Sequence, residues 1–236
     1  MWGATDEFVS APKLDDLMCA FTSLKAFLAH AGMGASEAGA ADADACARDI
    51  AVYACFDNEE VGSETKQGAA STFLHDVLSR VNASLGYTEE DLRRALAGSM
   101  LVSCDNAHAV HPAHPELSDP LARPRLNGGL VIKEAANQHY CTDALSRAAL
   151  VAVLDDADVP YQTFANRSDM AGGSTLGNIS NMQVSVHAID VGCAQLAMHS
   201  SYETAGARDV ELVIDALTAF YRSGLRIDGA DAIELG

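Results

Sequence analysis

The residues best suited to chemistry are the acids of Asp57-Asn-Glu59-Glu60-Val-Gly-Ser63, which follow directly on the apolar run Ile50–Phe56. Two neighbouring glutamates can divide labour. The first can act as a general base while the second is held ionised beside a metal ion. Adjacent side chains point to opposite sides of an extended chain, but on a turn leaving a strand both can reach one crevice. An ordinary solvated acidic loop is the competing reading of the same residues. Three more positions put a metal-type ligand beside an apolar run or at a helix start: Asp15, Asp105, and His199 in Gln195-Leu-Ala-Met-His-Ser200. Each also has a purely structural reading, as a helix cap, a turn former and a hydrogen-bonded core histidine respectively. Taken together, carboxylates and an imidazole converging at one sheet edge suit a pair of divalent ions about 3.5–4 Å apart, and zinc in particular.

Such a site needs elements that bring these residues together. The run Ile50–Phe56 predicts a buried strand with the acids at its carboxyl end, where open α/β sheets keep their ligand crevices. Apolar residues at spacings of three and four predict helices over Asp16–His30, Lys66–Val81, Asp143–Leu154 and Asp209–Tyr221. Thr88 followed by Glu89, Glu90 and Asp91 predicts a further capped helix. Strands are expected over 99–105, Gly128–Lys133, Tyr161–Ala165 and Val184–Val191, and a loop over Gly32–Asp44. The two His-Pro pairs within Asn106–Pro115 exclude regular helix and predict a rigid loop over that segment at the sheet's edge. Alternating strands and helices argue for one domain, residues 1–236, folded as a three-layer α/β/α sandwich around a largely parallel, mixed sheet.

Composition narrows the partners. With 33 acidic against 15 basic residues the formal charge is −18, which repels nucleic acid and anionic membranes and favours cations as ligands. The six cysteines, at 19, 46, 55, 104, 141 and 193, show no paired spacing and sit mostly in apolar runs, as in a reducing cytoplasm. The first residues carry no basic and apolar signal pattern, and no run approaches the ~18 apolar residues of a membrane span. A soluble, cytoplasmic protein is expected. Gly173-Ser-Thr-Leu-Gly177 lacks the lysine and spacing of a phosphate-binding loop and suits a backbone turn near a substrate.

Several long stretches, in order, resemble the aspartyl aminopeptidases, a family of dinuclear zinc aminopeptidases. They are Glu7–Leu17, Phe56–Ser63 with Gln67-Gly68, Ser103–Pro112, Leu126–Lys133 through Asn137–Tyr140, Gly173–Gly177 and Asp190–Ser200. The resemblance implies the carboxyl-terminal part of a catalytic domain that removes acidic amino-terminal residues from peptides. It implies that Asp15 bridges two zinc ions, that Glu60 and His199 complete one of them, and that Asp105 binds the other. It makes Glu59 the general base, and Lys133 and Tyr140 the groups meeting the substrate's acidic side chain, with His108 lining the cleft. The structural alternatives for these last three are a strand-end lysine, a helix-leading tyrosine and a histidine fixing the Pro-rich loop.

The sequence also departs from the family pattern. The family draws one more zinc ligand from an amino-terminal His-x-Asp motif and carries an inserted dimerisation domain, both upstream of the segment matched at Lys13-Leu-Asp15. Neither is expected here, which predicts one complete metal site and one lacking a histidine. A peptide substrate is expected, with either a homo-oligomer or a complementing chain as protein partner. A non-catalytic remnant or subunit, needing a partner chain to complete the metal site, is the alternative function. Asp16 stands where the family usually has Asn, and Tyr202 where it has Arg. These changes add a negative charge beside Asp15 and remove a basic neighbour of His199.

Overall fold

In the computed structural model, residues 1–32, 49–229 and 232–236 are described. The main sheet has four strands in the order β2 (Met100–Cys104), β6 (His187–Gly192), β4 (Leu130–Glu134) and β5 (Tyr161–Ala165). The outer pairs are parallel and the central β4–β6 pair is antiparallel, so the sheet is mixed. β4 and β6 are the most buried strands of this sheet, as central strands covered on both faces must be.

Pleating sends Leu130, Ile132, Ile189 and Val191 to one face, where they meet three helices. These are α1 (Leu14–His30) through Met18, Cys19 and Ala26, α4 (Ala144–Asp156) through Leu150 and Leu154, and α6 (Asp209–Arg222) through Val213, Ala216 and Leu217. α5 (Leu176–Asn181) lies on the opposite face, where a Cβ at Gly177 would come within 2.5 Å of Asp190 and 2.7 Å of Ser103. Val131 and Phe164 form a second cluster on that face with Ala107, Tyr140 and Ala194. This is an α/β sandwich. The two remaining helices, α2 (Phe73–Ser84) and α3 (Glu89–Ala97), follow one another in sequence; Thr88 and Asp91 close a capping box at the start of α3, as its acidic first turn predicts.

A second, smaller sheet follows the order β1 (Phe8–Ala11), β8 (Glu203–Gly206), β7 (Ala194–Leu196) and β3 (Ala107–His108). Strands of two to four residues are too short to show alternation, so the sequence pattern missed β7 and β8. The sheet also turns Ala107 and His108, expected in a loop, into a strand parallel to β7. A short hairpin of β9 (Arg226–Asp228) and β10 (Ala232–Glu234) follows α6.

Two expectations are corrected. Residues 50–56 form no strand: their main chain joins no ladder among the described residues, and their side chains lean on helices. The Tyr53 hydroxyl donates to Ala20 O at 3.0 Å and Tyr53 stacks on Phe27 at 6.1 Å, while Val52 O accepts from the Tyr221 hydroxyl at 3.0 Å. β-propensity needs a hydrogen-bonding neighbour to act through, and among the described residues no strand lies beside this run. Residues 66–72, expected in a helix, fold as turns, and α2 starts only at Phe73. Gly68 packs so closely on Ser63 that a Cβ would lie 2.2 Å from its carbonyl oxygen, a contact that the turn needs and a helix would forbid. The expected Gly32–Asp44 loop lies almost wholly outside the described residues.

Candidate metal centre

Four elements deliver the acidic and imidazole groups to one place. β1 leads through Lys13, at a left-handed φ of 60°, into the first turn of α1, where Asp15 and Asp16 stand joined by a cis peptide bond. Glu59 and Glu60 occupy a single 3-10 turn, entered through Asn58 at φ 62° and left through Gly62 at φ 100°. The tight turn, rather than a strand end, brings both glutamates to one side. Asp105 follows β2 directly and its N–H donates to Val191 O of β6 at 3.0 Å. His199, at φ 66°, sits in the connection between β7 and β8.

His199 Nε2 lies 3.1 Å from Asp15 Oδ2 and 3.2 Å from Glu60 Oε2. Asp15, Glu60 and His199 offer ligand atoms that all lie within 4.8 Å of one another, and so do Asp15, Asp16 and Asp105. Asp15 is common to both groups, the arrangement of two neighbouring cation positions with a shared carboxylate. Asp16 was not singled out as a ligand by its sequence position, and only the geometry of the first turn reveals it. The second group contains no histidine.

The electrostatics describe a site short of positive charge. Burial, then the charges of Asp105, Glu60 and Glu203, push the Asp15 carboxyl up to about 8. Burial raises Asp16 well above the carboxylate range, with Cys19 and the neighbouring acids adding to it. Asp15 Oδ1 and Asp16 Oδ1 are buried with no hydrogen-bond partner. Orphaned carboxylate oxygens, on a carboxylate whose other oxygen lies 3.1 Å from the His199 imidazole and on its neighbour, are what a zinc ion, which accepts both oxygen and nitrogen ligands, would satisfy. Glu59 is pushed up to about 7, chiefly by burial and then by Asp105 and Glu60, against the opposing pull of Lys133 and His199.

Lys133 lies beside Asp105. It is fully buried on β4, and its Nζ donates to Asp105 O at 2.9 Å, Asp105 Oδ2 at 3.0 Å and Asn106 O at 3.2 Å, which uses all three of its protons. The same ammonium stands 5.1 Å from the centroid of the buried Tyr140 ring. His108 lies 6.1 Å from the Phe164 ring, and its imidazole is driven toward the neutral form by burial and then by the charges of Lys133 and His199.

Two supporting residues escaped the sequence reading. Glu203 accepts from the Asp15 N–H at 3.0 Å and from the His199 N–H at 2.7 Å. Asn106 donates to Leu14 O at 2.8 Å and to Gln195 Oε1 at 2.7 Å, tying the start of α1 to β7. Neither belongs to a spacing pattern that sequence alone exposes; being next to Asp105 was the only available signal for Asn106.

Comparison with known proteins points to a family of zinc peptidases. Residues 1–221 match the family described as aminopeptidase I zinc metalloprotease (M18). The chain is 43% identical over 219 residues to a probable M18 family aminopeptidase 2 of Clostridium acetobutylicum, covering 93% of this chain and 47% of that protein. It is 36% identical over 236 residues to a probable aspartyl aminopeptidase of Ricinus communis, covering 99% of this chain and 46% of the relative. Among solved structures it resembles Ape4, determined in complex with Nbr1, with a TM-score of 0.82 at 34% identity over 94% of this chain and 41% of that one. It also resembles yeast aminopeptidase 1, with a TM-score of 0.76 at 29% identity over 94% of this chain and 48% of that one. The chain thus spans about half the length of the curated relatives it matches. With the family match running through α6 and the zinc-type ligand set assembled on α1, the Glu59–Glu60 turn, β2 and the β7–β8 connection, this chain belongs to the M18 aminopeptidase I family of zinc metalloproteases.

Proposed function

We propose that this chain carries the zinc-binding and proton-transfer groups of an aminopeptidase that removes acidic residues from the amino terminus of peptides. The observation that carries the reading is the pair of ligand groups sharing Asp15, with Glu59 next to Glu60 on the same turn. Asp15, Glu60 and His199 would hold one zinc ion; Asp15 and Asp105, with Asp16 beside them, would hold a second, weaker one that lacks a histidine. Zinc bound there supplies a Lewis acid that acidifies water and polarises a peptide carbonyl.

The protein's own groups do the rest. Glu59, poised near neutrality by burial, accepts a proton from the attacking water and returns it to the leaving amine. His108, kept neutral, adds an imidazole to the cleft without further charge. Lys133 supplies the ammonium expected to meet an acidic side chain, with Tyr140 stacked against it. One of its bonds goes to Asp105 Oδ2, so a substrate carboxylate and Asp105 compete for that N–H. The preference for acidic residues accords with the Ricinus communis relative's name, while the bacterial relatives are named only as M18 aminopeptidases.

A second reading is a subunit that needs another chain to complete the metal site. The all-carboxylate second group favours it. The test is zinc content after dialysis, run alongside hydrolysis of an Asp-containing chromogenic peptide with and without Glu59→Gln. Bound zinc with activity that Glu59→Gln abolishes supports the peptidase. Bound zinc with no activity in either form supports the subunit reading.

A further inference from the structure

We infer that Glu203 is a positioning residue whose single carboxylate holds the main chain of Asp15 and of His199 at the spacing a shared cation requires. This rests on the zinc reading above. Glu203 opens β8, and the antiparallel register sets it opposite Ala11 of β1. Asp15 lies four residues beyond Ala11 and His199 four residues before Glu203, so the register pair stands where the two ligand-bearing segments meet.

Each carboxylate oxygen takes one bond: Oε2 from the Asp15 N–H at 3.0 Å and Oε1 from the His199 N–H at 2.7 Å. Both bonds go to main chain, which leaves the ligand atoms of the two side chains facing each other at 3.1 Å. Charge-assisted bonds of this kind are stronger and more directional than neutral ones. They act where the backbone most needs fixing, since His199 is held at φ 66° and Lys13, just before the ligand turn, at φ 60°. Glu203 is only 2% exposed, so no solvent competes for either oxygen.

The bland alternative is a buried carboxylate that merely satisfies two loose amides. The chain contains such a group for comparison: Asp209 is fully buried and accepts from the Asn127 N–H at 2.7 Å and the Gly129 N–H at 2.9 Å, with no candidate ligand among its partners. The experiment measures zinc affinity on the folded fraction, by competition with a chromogenic chelator, for wild type, Glu203→Gln, Glu203→Asp and Asp209→Asn, with melting temperature read in parallel. Glutamine keeps one acceptor and turns an NH2 toward the other amide, while aspartate keeps the charge and shortens the reach.

Both Glu203 variants are expected to bind zinc about 10–100-fold more weakly, the usual cost of losing a group that orients a ligand. Asp209→Asn is expected to lower the melting temperature with zinc affinity unchanged. Glu203→Asp at wild-type affinity would mean that charge, not reach, matters, and Asp209→Asn weakening zinc as much as Glu203→Gln would mean general loosening; either overturns the assignment. Should Glu203→Gln not fold, Glu203→Asp carries the test. A wild type that binds no zinc removes the zinc reading together with this one, whereas zinc bound equally by wild type and Glu203→Gln removes this one alone.

Discussion

The Glu59 carboxyl, raised to about 7, and the Asp15 carboxyl, raised to about 8, make the site's two demands measurable one residue at a time. Glu59→Gln keeps the shape of the turn but cannot take a proton, so peptide hydrolysis is expected to fall about 10²–10⁴-fold with zinc content unchanged, checked by steady-state kinetics beside metal analysis. Both carboxyls titrate higher in the folded chain than their ordinary values of 4.5 and 3.8, so between those values and their folded ones the native state binds more protons than the unfolded state. Stability conferred by the protonated forms is therefore present at low pH and lost as pH rises toward 7–8. Chelator-treated protein is expected to melt at a lower temperature at pH 8.5 than at pH 6, and added zinc to remove most of that difference. Thermal melts with and without zinc would check this, and a metal-free chain equally stable at both pH values would count against the crowded-carboxylate picture.

The elements hold the site through close main-chain packing more than through apolar area. Gly192, the last residue of β6, lies so near the turn after β2 that a Cβ would come within 1.9 Å of Asp105 O, the oxygen that also receives Lys133. Gly192→Ala must push Asp105 away or bend β6. A loss of about 1–3 kcal/mol in denaturant unfolding is expected, the usual cost of overpacking, together with weaker metal binding. Wild-type values for both would show that the strand end has more room than its geometry implies.

At the scale of the molecule, the apolar stripe of α2 is about half open among the described residues, Phe56 meeting Phe73 edge-on at one end. Phe73, Val77 and Val81, at helical spacing, are 48%, 42% and 43% exposed, and α2 buries no residue. Leu17 and Phe21 of α1 are exposed as well. Such faces promote association. One related structure is described as a dodecamer of the yeast enzyme. Wild type is expected to elute from a sizing column ahead of a monomer, and Phe73→Glu with Val77→Glu to shift it toward monomer without lowering its melting temperature, since neither side chain is buried. A monomeric wild type would dismiss the face as an association surface.

Local pattern in the sequence determined most of the helices, the buried central strands β4 and β6 with the edge strand β5, and the identity of the acids and histidine that meet. Helical spacing, caps and continuous apolar runs are short-range signals, and each of those elements stabilises itself against one sheet. Only the tertiary structure decided the rest. Residues 50–56 have the composition of a strand but no neighbour to pair with among the described residues, and they lean on α1 and α6 instead. The small sheet that sets Ala11 beside Glu203 is made of strands too short to carry a period. Asp16 enters the site through the geometry of a local turn, and Glu203 through a register between segments far apart in the chain, which no single stretch of sequence encodes.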